Sequence, residues 1–253
     1  MMQFSLTIDA YKGIPIPLIL GIFRTQHVPR VESTVDIFHH PRWASIVAGK
    51  MGLGLHLPYV GKYGYDFGYT PAKKEIDLLL DTIQRTRHLL PFDYAVFHPP
   101  ESDPKHVSYD FLVENLTRLN VPLVLENNLG YSLESFVQVA EKIEKQLGAL
   151  LSGFCVDIPH AFLAKEKWQS FYQHFAGRVK VVHLSDCDGK RDSHLAFPFA
   201  GGLDLDAIIQ ELVSLNFDGI LNFEIKPPSL AKGHTIFQTL KTAQNVQSKI
   251  LAQ

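Results

Sequence analysis

Short runs rich in aliphatic and β-branched residues alternate with longer stretches of helical period along the whole chain. The runs Phe4–Asp9, Val31–Phe38, Gly52–Pro58, Tyr94–His98, Pro122–Asn127, Gly153–Ile158, Lys180–Ser185 and Gly219–Ile225 predict eight strands. Between them, Ser132–Leu151 sets Phe136, Val139, Ala140, Ile143 and Leu147 on one face at about 3.6-residue spacing, with Ser132 placed as the cap. Thr70-Pro71 opens another helix, whose buried stripe is Ile76, Leu79, Leu80, Ile83 and Leu90. Such alternation calls for parallel strands with crossover helices. Eight strand–helix units in 253 residues predict an α/β chain closed into a (β/α)8 TIM barrel, one domain over residues 1–253. An open doubly wound sheet is the weaker reading, because no glycine-rich dinucleotide loop follows the first strand.

The polar residues within this pattern fall at one place in each unit. The third predicted strand ends at His56, the fourth at His98, the fifth at Glu126, the sixth at Asp157, the seventh at His183 and the eighth at Glu224. Carboxyl ends of barrel strands share one mouth, so these side chains should converge. Period two puts Val124 with Glu126, Cys155 with Asp157, Val181 with His183 and Asn222 with Glu224 on common inward faces. His160 follows Asp157 by three residues, and the loop after the seventh strand adds Asp192 and His194. A lone histidine at a strand end is more often structural than a ligand. Carboxylates and imidazoles gathered at one apolar rim instead need a partner, and a divalent cation is the natural one. The mixed nitrogen and oxygen set points to zinc, manganese, iron or cobalt rather than magnesium or calcium. His27, His39, His40, His88, His106, His174 and His234 lie outside the pattern and read as solvated or structural.

Composition narrows the rest. Lysine and arginine number 24 against 26 aspartates and glutamates, which gives no basic field for nucleic acid. The longest apolar stretch, Ile14–Phe23, is broken by Pro15 and Pro17 and is too short to span a membrane; no leader pattern is evident. Two cysteines allow at most one bridge and suggest a cytoplasmic setting. Cys155 reads as a small buried hydrophobe, and Cys187, in the mouth loop, as a weak candidate for reactivity. Asn128 and Lys226, beside Glu126 and Glu224, are candidates to hold substrate. Tyr63, Tyr65, Phe67 and Tyr69 form either a wall over the site or a packing flap.

At these residues the chain resembles the xylose isomerase-like TIM-barrel superfamily, which holds sugar and sugar-phosphate isomerases and epimerases and also endonuclease IV. Glu126, Asp157, His183 and Glu224 match the single-metal set of the epimerases, and His160 resembles the histidine of the family's Asp-x-x-His pair. His56-Leu-Pro-Tyr, Phe-His98-Pro, Leu-Glu126-Asn, Asp157-x-x-His160, His183-Leu-Ser-Asp and Asp192-Ser-His194 extend the match, with Glu224, to every position of the three-metal site of endonuclease IV. The loop after His194, Leu-Ala-Phe-Pro-Phe-Ala-Gly-Gly, departs from that enzyme's Leu-Gly-Glu-Gly-like turn, and no insertion for gripping bent DNA is evident. The resemblance therefore implies first a metal-dependent sugar or sugar-phosphate isomerase or epimerase, with Glu126 and Glu224 moving the proton and His160 positioning a hydroxyl. The alternative it implies is a phosphodiester hydrolase, an AP endonuclease or a small phosphoesterase, with His56, His98, His160, Asp192 and His194 as further ligands and one to three metals per chain. The substrate is a small carbohydrate or phosphoester in the first case and can extend to nucleic acid in the second. A homodimer through the outer helices is open.

Overall fold

Eight parallel strands close on themselves in chain order, with β1 (Gln3–Ile8) paired to both β2 (Arg30–Thr34) and β8 (Ile220–Phe223). The others are β3 (Gly52–His56), β4 (Tyr94–Phe97), β5 (Leu123–Glu126), β6 (Leu151–Asp157) and β7 (Val179–Leu184). Between successive strands run α1 (Ile16–Thr25), α2 (Pro41–Ala48), α3 (Val60–Tyr63), α4 (Lys73–Thr86), α5 (Tyr109–Leu119), α6 (Leu133–Leu147), α7 (Ile158–Leu163), α8 (Trp168–His174) and α9 (Leu205–Ser214). This computed structural model describes residues 2–9, 14–101, 105–197, 202–225, 240–242, 244–246 and 248. The architecture is the expected (β/α)8 barrel.

Period-two alternation divides the strands between two cores. Leu123, Leu125, Phe154, Val156, Val182, Leu184, Leu221 and Phe223 point outward into the large core under the helices. Tyr94, Val96, Val124, Cys155 and Val181 form a separate small cluster inside the barrel. Glu126, Asp157 and His183 stand one pleat further along the same inward faces, so the apolar layer is the floor of a polar mouth.

Local chemistry fixes the helix starts. The Ser132 hydroxyl accepts from the Ser135 N–H at 3.2 Å, and Phe136, Ala140, Ile143 and Leu147 are the buried stripe of α6. That helix ends earlier than the periodicity suggests: Gly148, at φ 54°, turns the chain toward β6. Thr70–Ala72 forms a single tight turn before α4. The second predicted strand, Val31–Phe38, is also shortened. After Thr34 the chain coils into a 3₁₀ turn over Val35–His39, which still buries Val35, Ile37 and Phe38. No helix among the described residues is long and apolar enough to cross a membrane.

Candidate metal centre

The fully buried Glu126, at the end of β5, is the hub of the barrel mouth. Its Oε2 lies 3.3 Å from His56 Nε2 and 3.1 Å from His98 Nε2. Its Oε1 lies 3.2 Å from His183 Nδ1. That same nitrogen is 3.1 Å from Glu224 Oε2 and 3.9 Å from Asp157 Oδ2. On the remaining side, Asp192 Oδ2 stands 2.6 Å from His194 Nε2 and 3.5 Å from His160 Nε2. The strand-end residues and the loop pair expected from the sequence thus meet in three overlapping groups, and Glu126 faces all three, its Oε1 lying 3.5 Å from His160 Nδ1.

Two local devices bring in the residues that are not on strands. Asp157 is the N-cap of α7: its Oδ1 accepts from the His160 N–H at 2.6 Å, with Pro159 in the first turn. The three-residue spacing is therefore that of a cap and the third helical position, which returns His160 over the mouth. The loop after β7 is pinned by a two-way bridge, Asp186 N–H to Leu195 O at 2.8 Å and Leu195 N–H to Asp186 O at 2.9 Å. Between those pins Asp192 and His194 are folded back, His194 with a φ of 45°.

Each imidazole has one nitrogen committed. His56 Nδ1 donates to Leu57 O at 3.0 Å, His160 Nδ1 to Asn127 O at 2.8 Å and His194 Nδ1 to Glu224 O at 3.1 Å. A carbonyl only accepts, so those nitrogens carry protons. His98 Nδ1 faces Glu101 Oε1 at 2.7 Å. These four rings turn Nε2 toward the centre. His183 is reversed: its Nε2 faces Glu32 at 3.1 Å and its Nδ1 faces inward.

The carboxylates and rings hold one another's charge. Burial alone would lower His98 and His160, but Glu126 and Glu101 raise the first to about 9, and Asp157, Asp192 and Glu126 raise the second to about 10. Glu126, against the cost of burial, is held well below the carboxylate range by His183 and His98. Asp157 is pushed up to about 7 by burial and by Glu126, Asp192 and Glu224, which outweigh His160. Despite this pairing, the buried Asp192 Oδ1 has no hydrogen-bond partner. An orphaned carboxylate oxygen, imidazoles with one nitrogen fixed and the other aimed inward, and ligand atoms of His56, Glu126, His183 and Glu224 within 4.8 Å of one another fit a divalent cation. The donor set suits zinc, manganese, iron or cobalt.

The surrounding cavity, about 120 Å³, is walled by Tyr59, Glu101, Asn128 and Leu129. A larger one, about 440 Å³, lies beside α9 against Thr242 and Val246, and none of the candidate ligands lines it. Asn128 stands in the wall, its side-chain amide hydrogen-bonded to Glu101. Lys226 lies outside the described residues. Of the aromatic stretch, Phe67 is buried and Tyr63, Tyr65 and Tyr69 pack on the outer core, so Tyr59 takes the wall position. Both cysteines are free and fully buried, and burial pushes the Cys187 thiol up, which disfavours its thiolate.

Glu32 and Glu101, which no motif marks, and Asn127, which follows Glu126, also serve the site, the first two facing His183 and His98. Asn127 stitches β5 to β6, accepting from the Asp157 N–H at 2.7 Å and donating to Asp157 O at 3.0 Å. Lys62, likewise outside any motif, pairs with Asp36 at 2.7 Å and with Asp9, fastening α3 to the ends of β1 and β2. The available signal for Glu32 was a charged residue at an inward position of a barrel strand.

The family described as xylose isomerase-like TIM barrel matches residues 44–244. No curated protein sequence matches the chain. The crystal structure of an AP endonuclease, family 2, from Brucella melitensis superposes with a TM-score of 0.67 at 13% identity, over 90% of this chain and 95% of that one. A D-tagatose 3-epimerase-like protein gives 0.69 at 17% identity, over 98% and 100%. A D-allulose 3-epimerase from Methylomonas sp., solved with D-allulose, gives 0.68 at 12% identity, over 99% and 96%. At such identities the likeness is one of fold.

Proposed function

The chain belongs to the xylose isomerase-like TIM-barrel family, and from that premise we propose that it is a divalent-metal-dependent enzyme with a multinuclear centre that hydrolyses a phosphoester. One observation carries this reading over the isomerase expectation: Asp192 Oδ2 sits between His194 Nε2 and His160 Nε2 at 2.6 and 3.5 Å, with Oδ1 buried and unpartnered. Proton transfer at one metal gives the Asp192–His194 pair no role. His56, His98 and Glu126 would hold one ion, Glu126, Asp157, His183 and Glu224 a second, and His160, Asp192 and His194 a third. Charge argues the same way. One divalent cation leaves the carboxylates of Glu32, Glu101, Glu126, Asp157, Asp192 and Glu224 with net negative charge, which repels an anion, whereas three balance it.

Bound cations would supply compensating charge for a phosphoryl group and a more acidic water. The chain's own part is to fix the ligand geometry and to receive the proton of that water. Glu224, which lines the cavity with Oε2 3.1 Å from His183 Nδ1, is assigned that proton. Asn128 and Lys226 are assigned to the substrate's polar groups. The cavity of about 120 Å³ and the near-neutral composition favour a small phosphoester over duplex DNA.

A second reading, sugar epimerisation, is favoured by the meeting of Glu126 and Glu224 on His183 Nδ1 at 3.2 and 3.1 Å, since two carboxylates at one point suit proton removal and return. Elemental analysis of untagged protein, followed by assays on nitrophenyl phosphoesters, an abasic oligonucleotide and ketohexoses, separates the two. Hydrolysis is expected with more than one metal per chain, falling at least about a hundredfold in His194→Ala. One metal per chain, ketose turnover and an unaffected His194→Ala would establish the second reading. Absence of any bound divalent metal would refute both.

A further inference from the structure

Glu32 stands in the middle of β2, fully buried, below the residues that line the mouth. Its carboxyl group faces His183 Nε2 at 3.1 Å through Oε1 and 3.2 Å through Oε2. It also accepts from the Tyr94 hydroxyl at 2.9 Å, and the Asn222 amide approaches at 3.4 Å. The register explains the reach: Glu32 pairs with Gly54 and Gly54 with Tyr94, so the tyrosine hydroxyl crosses a strand position that carries no side chain. A Cβ at Gly54 would lie 2.4 Å from Tyr94 Cζ. Three strands are thus arranged around one buried acceptor, and that acceptor is aimed at a ring nitrogen.

The geometry points to Glu32 as a positioning residue of the metal centre, one that holds the Nε2 proton of His183 and so turns Nδ1 toward the ion shared with Glu126, Asp157 and Glu224. His183 is the one ring of the five that presents Nδ1, and it is also the one whose outer partner comes from the barrel floor. His56, His160 and His194 are oriented by backbone carbonyls next to the mouth. A carboxylate accepting the far N–H of a ligating histidine fixes the ring and makes its other nitrogen a better donor, an effect commonly worth about ten- to a hundredfold in metal affinity. Glu32 is not among the residues lining the cavity, so its action runs through His183.

The inference rests on the metal reading above, and the test keeps the two apart. Zinc affinity is measured by competition with a chromogenic chelator for the wild type, Glu32→Gln and Glu32→Leu, alongside nitrogen-15 spectra of the zinc-loaded imidazoles, the His183 signals being assigned by their loss in His183→Asn. Glu32→Leu is expected to bind zinc about ten- to a hundredfold more weakly. Glu32→Gln, which keeps an acceptor for Nε2–H and a donor toward Tyr94, should recover most of that loss. The wild-type spectrum should show His183 protonated at Nε2 and metal-bound at Nδ1. Metal at Nε2, or a folded Glu32→Leu with unchanged affinity, would overturn the role of Glu32 alone. If the leucine variant does not fold, the wild-type spectrum decides. Wild type that binds no zinc, manganese, iron or cobalt would overturn both this and the metal reading.

Discussion

Gly54→Ala tests how tightly the barrel floor is built around Glu32. The new methyl carbon would stand 2.4 Å from Tyr94 Cζ and 2.5 Å from its hydroxyl oxygen, well inside contact distance. The tyrosine has little room to give, since it is 4% exposed and packed with Val96, Val124, Cys155 and Val181. Overpacking of this kind costs about 1–3 kcal/mol, and displacing the hydroxyl from Glu32 adds roughly 1 kcal/mol. For a chain of this length the sum, about 2–4 kcal/mol, corresponds to a fall in Tm of roughly 5–15 °C. Chemical denaturation of Gly54→Ala, Tyr94→Leu and the double variant gives the coupling directly. Leucine vacates the space over Gly54, so the alanine should cost little in that background, and the two substitutions should be strongly non-additive. A Gly54→Ala that loses less than about 0.5 kcal/mol, or the same amount in both backgrounds, would refute the argument.

Metal removal should expose a pH dependence. In chelator, His98 and His160 titrate at about 9 and about 10 against an ordinary value near 6.5. Raised histidines stabilise the fold fully below the unfolded value and lose that contribution as pH climbs from there through the folded one, so the urea midpoint of metal-free protein should fall between about pH 6.5 and 10. A saturating cation takes the protons' place, and the loaded protein should show no such fall; equal profiles for the two forms would contradict the assignment. Ser132→Ala removes the cap of α6 and should cost about 1 kcal/mol with metal content unchanged, measured by denaturation and elemental analysis. A thiol reagent should label neither Cys155 nor Cys187 in native protein and both after unfolding, because each is fully buried and burial pushes its thiol up. Labelling of native Cys187 would show that the loop after β7 opens.

How far the centre could be read from the chain depends on how locally each residue is placed. Glu126, Asp157 and His183 were legible because a strand of known period and direction leaves a side chain no other place to point. Asp157 and His160 were legible as a pair because a helix cap and the third helical position are fixed by three residues of backbone. Glu32 escaped for the opposite reason. Its role comes from β3 and β4 as much as from β2, through a register that puts Gly54 between it and Tyr94, and no spacing along the chain encodes a register. The shortening of the second predicted strand has a similar source: the burial of Val35, Ile37 and Phe38 suits either a strand or a tight coil until Lys62, from the next unit, pairs with Asp36.

The Asp192-Ser-His194 segment lies between these cases, and it is the one that bears on the reaction. Its residue types are ligand types, but a loop of that length can return over the mouth or swing away from it. The antiparallel bridge between Asp186 and Leu195 closes the loop at its base, and the turned backbone at His194 then aims the imidazole back at Asp192. Holding a histidine at positive φ costs free energy, and so does leaving Asp192 Oδ1 buried without a donor. A loop that merely covered a sugar site could relax both by exposing the pair to water. That it holds them against His160 instead is the physical ground for giving this group a cation of its own, and hence for preferring hydrolysis at a multinuclear centre to proton transfer at a single metal.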